Sequence, residues 1–144
     1  MVGINEHIIS TDKKITLETK AIATCIAVGG HTKKNGGVFF LTHLLYSDAN
    51  LEKSIKNAEK ILNTIQIELK SKNVDFSDFN LYLAGAGFGA YDFEKELLWI
   101  LVHKYGANLN ASNVKLGGTS TFSMEITSTS TIIKQSAPGR QFIN

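Results

Sequence analysis

Apolar residues recur most regularly after Asn50, where Leu51, Ile55, Ala58, Leu62, Ile65 and Leu69 follow one another at steps of three and four. That spacing draws a single apolar stripe and predicts a helix over Leu51 to Lys70, with Asn50 as its cap and a sheet as its packing partner. Upstream the period changes. From Ile15 to Val28 the chain is apolar on both alternating faces, as in a strand covered on both sides: Ala21, Ala23, Cys25 and Ala27 fall on a small face, and Ile22, Thr24, Ile26 and Val28 opposite. The segment Gly29 to Gly37, with two lysines and four glycines, reads as a turn in which His31 faces water. In Val38 to Leu45, Phe39, Leu41, His43 and Leu45 share one face and Val38, Phe40, Thr42 and Leu44 the other. The turn between the two runs predicts that they pair.

Downstream, Phe79 to Ala84 reads as a strand running into Gly85, Gly87 and Gly89, and a second helix is expected from about Asp92 to a stop at Gly106. Asn113 to Leu116, Thr121 to Thr127 and Thr129 to Ile133 complete the strands, and Pro138 to Arg140 read as a loosely held end. No linker or repeat divides the chain, so residues 1–144 are expected to form one α/β domain, with two main helices packed on a mixed β-sheet.

Composition narrows the function classes. Fifteen Lys and Arg against thirteen Asp and Glu leave too little charge to gather an acidic polymer, and only one of the fifteen is an arginine, Arg140. Arginine is the side chain best suited to bidentate phosphate and base contacts, so nucleic acid is not an expected partner. The first residues are charged rather than signal-like, and no stretch is long and apolar enough for a membrane span. The expected location is therefore cytoplasmic, or that of an effector delivered without a standard N-terminal signal. A single cysteine excludes an internal disulfide and a multi-cysteine zinc site, and the histidines show no metal-binding pair, so neither metal nor cofactor is expected. The alternating glycines at 85, 87 and 89 lack the spacing of a dinucleotide fingerprint.

Two residues remain with chemistry to offer. A lone cysteine among alanines reads as a small buried apolar residue or as a nucleophile. His43, among Phe39, Leu41 and Leu45, needs a polar partner either as a structural residue or as a base. If the strands on either side of the glycine turn pair, Cys25 and His43 approach each other, and an imidazole beside a thiol favours the nucleophilic thiolate and then protonates a leaving amine. No Asn or Gln flanks Cys25, so an oxyanion formed there would depend on backbone N–H groups.

The run Thr19-Lys20-Ala21-Ile22-Ala23-Thr24-Cys25-Ile26-Ala27-Val28, followed by Gly36-Gly37 and His43-Leu44-Leu45, resembles the catalytic signature of the bacterial chemoreceptor glutamine deamidases. The likeness extends over roughly residues 15–134, through the long helix, Leu81 to Ala86 and Asn113 to Gly118, and includes the core shared with cytotoxic necrotizing factor-type toxins. The resemblance implies a cysteine-hydrolase fold, Cys25 as nucleophile, His43 as its base and Thr19 as the third group beside the imidazole. It implies hydrolysis of a glutamine side-chain amide in a partner protein, a chemoreceptor or a host protein. A transglutaminase using the same nucleophile, and an inactive protein-interaction module, are the alternative readings.

Overall fold

The structure, a computed structural model, describes residues 1–47 and 50–136; Pro138 to Arg140 lie outside the described residues. Its strands are β1 (His7–Ser10), β2 (Leu17–Ile22), β3 (Ile26–Thr32), β4 (Val38–Leu44), β5 (Asn80–Gly85), β6 (Val114–Leu116), β7 (Phe122–Ile126) and β8 (Thr131–Gln135). Two main helices, α1 (Leu51–Ser71) and α2 (Tyr91–Trp99), lie between them in sequence, the latter running on as a wider π-turn over Ile100–Lys104. Five strands form a mixed sheet in the order β1-β4-β3-β5-β6, with only β5 and β6 parallel, and three form a separate antiparallel sheet in the order β2-β7-β8.

The five-stranded sheet is covered on both faces, and strand alternation decides which residue meets which layer. Ile26, Val28, Phe40 and Leu44 pack with Ala58, Leu62, Ile65 and Leu69 of α1 and with Phe93 and Leu97 of α2. On the opposite face Ala27, Phe39, Leu41 and Ala84 meet Leu17, Ile22, Phe122, Met124 and Ile126 of the smaller sheet. The stripe of α1 is buried as its spacing requires, and the Asn50 side chain accepts the Lys53 N–H at the helix start.

The run from Ile15 to Val28 is not one strand. Its first half, β2, pairs with β7 in the small sheet; its second half, β3, pairs with β4 and β5 in the large one. A bulge divides them, since three steps from Thr19 to Ile22 face two from Met124 to Phe122, and Ala21 takes up the extra residue at φ 55°. The extra residue turns Ile22 onto the buried side with Leu17 and Thr19 and leaves Ala21 exposed. The small-residue face expected from strict alternation therefore breaks at Ala21. Ala23, Thr24 and Cys25 form the bend by which the chain crosses from one sheet to the other.

The expected turn at Gly29 to Gly37 also begins later. β3 continues through Gly29, Gly30, His31 and Thr32, flanked on both sides by paired strands, and only Lys33 to Gly37 turns back. His31 consequently does not face open water: it is half-buried, its ring lies on Tyr82, and Nδ1 is 3.1 Å from Thr131 Oγ1.

Candidate functional site

His43 is carried near the end of β4 on the face toward the small sheet, directly opposite Ala27 of β3, with Ile26 opposite Leu44. Cys25 is the residue before β3. Cys25 sits in the bend just outside the β3–β4 ladder, which ends at Ile26 and Leu44, and belongs with Ala27 to the cluster between the sheets. Thr19 comes from the other layer. On β2 it points inward beside Met124, and its Oγ1 lies 2.8 Å from His43 Nδ1. Both are almost fully buried, Thr19 at 1% and His43 at 2% exposure, while Cys25 retains 8%.

The hydrogen bonds around Thr19 determine where the imidazole proton sits. The hydroxyl has a single hydrogen, and it donates to the Val2 carbonyl at 2.8 Å, a group able only to accept. Toward His43 the hydroxyl oxygen can then only accept, so Nδ1 carries the proton and donates. In the neutral ring Nε2 is left with a bare lone pair. Nε2 is also the buried side-chain nitrogen that has no hydrogen-bond partner among the described residues. Leaving a buried acceptor unpaired costs about 1–3 kcal/mol.

Backbone turns frame Cys25. The Cys25 carbonyl accepts the Ala86 N–H at 2.8 Å, and the Ala23 carbonyl accepts the Gly87 N–H at 2.9 Å. Phe88 in turn donates to the Gly118 carbonyl and Gly117 to the Gly85 carbonyl, so the bend before β3, the loop after β5 and the turn after β6 are tied together. Within that loop Gly85, Ala86, Phe88 and Gly89 all have positive φ, between 50° and 123°. For Ala86 and Phe88 this conformation costs about 1–2 kcal/mol each, a strain concentrated in the loop that holds the Cys25 carbonyl.

Burial is the cause of His43's electrostatics: desolvation lowers its pKa from the ordinary 6.5, so the ring is neutral at pH 7. His31 is likewise lowered, first by burial and then by the Lys33 charge. The unfolded chain therefore binds protons on these histidines at pH values where the native chain does not. Native stability is full above 6.5 and falls as the pH drops from 6.5 toward the folded-state values. The urea midpoint is expected to decline between pH 7 and about pH 5.5, and His43→Gln should flatten part of that decline. A midpoint that rises over this interval would contradict the burial argument.

Of the sequence-derived residues, the structure brings Thr19 and His43 into direct contact; Cys25 lies in the apolar cluster between the sheets, and His43 Nε2 has no hydrogen-bond partner among the described residues, Cys25 included. His31 lies on the same face but four ladder positions further along, opposite Phe39, roughly 13 Å away at strand spacing. Its replacement by alanine should lower the melting temperature by a few degrees, because a half-buried stacked ring is lost. A His31→Ala protein with an unchanged melting temperature would mean that the ring contributes nothing to the packing against Tyr82.

Val2 is the group at this site that the sequence did not disclose; it acts through a main-chain carbonyl, which leaves no residue signature. Among the described residues no three His, Cys, Asp or Glu side chains converge as for a metal ion, and no helix is long and apolar enough to cross a membrane. The fold and site together define a layered α/β protein with a mixed five-stranded sheet, a buried threonine–histidine pair and a buried free cysteine. Comparison with models of known protein families and with curated proteins gives no match.

Proposed function

We propose that Cys25, His43 and Thr19 form the catalytic centre of a cysteine-dependent deamidase, on a fold of the chemoreceptor deamidase type, that hydrolyses a glutamine side-chain amide in a partner protein. The observation that carries this reading is the state of His43: Thr19 holds the proton on Nδ1, and the bare Nε2 is buried and unpartnered on the sheet face, shared with Phe39 and Leu41, that packs against the cluster containing Cys25. A thiol proton is the donor that such a nitrogen lacks, and its transfer yields the nucleophilic thiolate.

The reaction then follows from the groups present. Cys25 Sγ gives its proton to His43 Nε2 and attacks the amide carbon; the tetrahedral oxyanion is met by backbone N–H groups, the Cys25 N–H being the nearest in sequence. The imidazolium passes its proton to the departing nitrogen, ammonia leaves, and a thioester remains. Water, deprotonated by the same imidazole, hydrolyses the thioester to a glutamate side chain and restores the thiol. A protein-borne glutamine is preferred to free glutamine because the sequence holds a single arginine for a free carboxylate, while the glycines of the loop after β5 let a partner's chain come close to the backbone.

The test is the thiol. Iodoacetamide at neutral pH should alkylate Cys25 faster in the folded chain than in the denatured chain, against the protection that burial alone would give. Slower alkylation in the folded chain would make Cys25 an inert core residue and favour an interaction module. Incorporation of an added amine in place of water would assign the same acyl-enzyme to transglutamination.

A further inference from the structure

The segment Val2 to Asn5 reaches both sheets at the place where Thr19 and His43 meet. Toward the small sheet, the Val2 N–H donates to the Glu18 carbonyl at 2.7 Å and the Val2 carbonyl accepts from Thr19 Oγ1. Toward the large sheet, Ile4 bridges His43 in parallel, the Asn5 N–H donates to the His43 carbonyl at 2.7 Å, and Asn5 Oδ1 accepts the Leu45 N–H at 3.1 Å. Asn5 makes the turn between these contacts at φ 59°, a conformation Asn tolerates well. Val2 is 1% exposed and belongs to the same buried cluster as Cys25, whereas Met1 and Ile4 are 74% and 55% exposed. The strap is therefore anchored by its backbone and by the side chains of Val2 and Asn5.

We propose that this strap is a positioning element of the site: the Val2 carbonyl selects the reactive tautomer of His43. It rests on the reading of His43 as the base of Cys25. Thr19 alone does not choose, because a hydroxyl either donates to Nδ1 or accepts from it with equal geometry. If it donated, Nε2 would bear the proton and be unable to take one from the thiol. The Val2 carbonyl removes that choice by claiming the single hydroxyl hydrogen. Val2 carbonyl, Thr19 hydroxyl and His43 Nδ1 thus form a directed relay that ends in a basic Nε2, in the way a third group orients the imidazole of other triads. A strap drawn away would free the hydroxyl and return the ring to a mixture of tautomers.

The tautomer can be read directly by long-range proton–nitrogen correlation on the nitrogen-15-labelled full chain at a pH above the His43 titration. Nδ1 is expected to show the shift of a protonated nitrogen and Nε2 that of a bare one; the reverse pattern overturns the proposal whatever any variant does. A semisynthetic chain in which an ester replaces the Val2–Gly3 amide keeps every side chain and weakens the accepting carbonyl. It is expected to show a measurable Nε2–H population and at least a fivefold slower alkylation of Cys25. The ester also removes the Gly3 N–H, whose partner is Glu6 Oε1, so Glu6→Ala serves as the control that should move neither readout. An ester chain with an unchanged tautomer overturns the role of the strap. Thr19→Ser should preserve the Nδ1–H tautomer and Thr19→Val should lose it; retention in Thr19→Val overturns the relay. These outcomes are separable from the deamidase reading, which fails if Cys25 is inert while the tautomer is as stated.

Discussion

Cys25→Ser and His43→Ala should each abolish ammonia release and the roughly 1 Da mass gain on a substrate protein, a loss of at least 10³-fold, while both variants remain folded. Removal of either partner from a nucleophile–base pair costs about as much as removal of both, because neither acts without the other, so the double variant should be no slower than the singles. A serine at position 25 is not a substitute. Its hydroxyl is a far poorer source of an anion than a thiol, and Thr19 contributes a hydrogen bond to the imidazole where a carboxylate would contribute charge. His43→Ala also removes the buried, unpaired Nε2, so its stability loss should be smaller than usual for a ring of that size. The measurement is intact-mass spectrometry of the substrate protein together with circular dichroism of each variant. Full retention of the mass gain by Cys25→Ser would end the proposed mechanism.

The second large effect is structural and falls one turn away. A Cβ on Gly85 would lie 1.9 Å from the Cys25 carbonyl oxygen and 2.8 Å from Ile22 Cγ2, at a φ of 123° that side chains rarely adopt. Neither backbone has room to retreat, because Gly85 is paired with Ile26 in the β3–β5 ladder and Ala86 is bonded to the same carbonyl. Gly85→Ala is therefore expected to cost about 3–5 kcal/mol, a large part of the 5–15 kcal/mol typical of a folded domain. In a chain of this size that corresponds to a fall in melting temperature of about 10 °C or more. Gly36→Ala provides the comparison: its φ is 83° but nothing lies within 4 Å of the added carbon, so only the conformational cost of about 1–2 kcal/mol applies. Equal losses for the two variants would mean that the contact between Gly85 and the Cys25 carbonyl is not part of the folded structure.

These effects meet at one place because the site is built where the two sheets part company. β2 must leave the small sheet at Ile22 for β3 to enter the large one at Ile26, and the three residues between them carry the cysteine. The loop after β5 fastens that bend through Ala86 and Gly87 at the expense of an unfavourable backbone at Ala86 and Phe88. Strain of this kind persists where surrounding contacts fix the chain, and here the surrounding contacts are the ladders of β3 and β5.

The sequence by itself determined the elements whose signal is periodic and local. The stripe from Leu51 to Leu69 and its Asn50 cap specified α1, and the alternation in Val38 to Leu45 specified β4 and the face that His43 shares with Phe39 and Leu41. The glycine turn before β4 specified an antiparallel partner, and that partner is β3. The likeness of Thr19, Cys25 and His43 to a known signature placed a threonine beside the imidazole, and the two are in hydrogen-bond contact. Tertiary structure decided what no local pattern encodes. The bulge at Ala21 divides an apolar run between two sheets, because Met124 and Phe122 on a strand a hundred residues away set the register. His31 becomes a strand residue because β5 and β4 flank it, overriding the turn propensity of its glycines. The short β1 lacked a period long enough to register, and it forms because β4 offers an edge to pair with. The proton on His43 is fixed by the carbonyl of Val2, and every residue presents the same acceptor there; only folding can bring that carbonyl to Thr19.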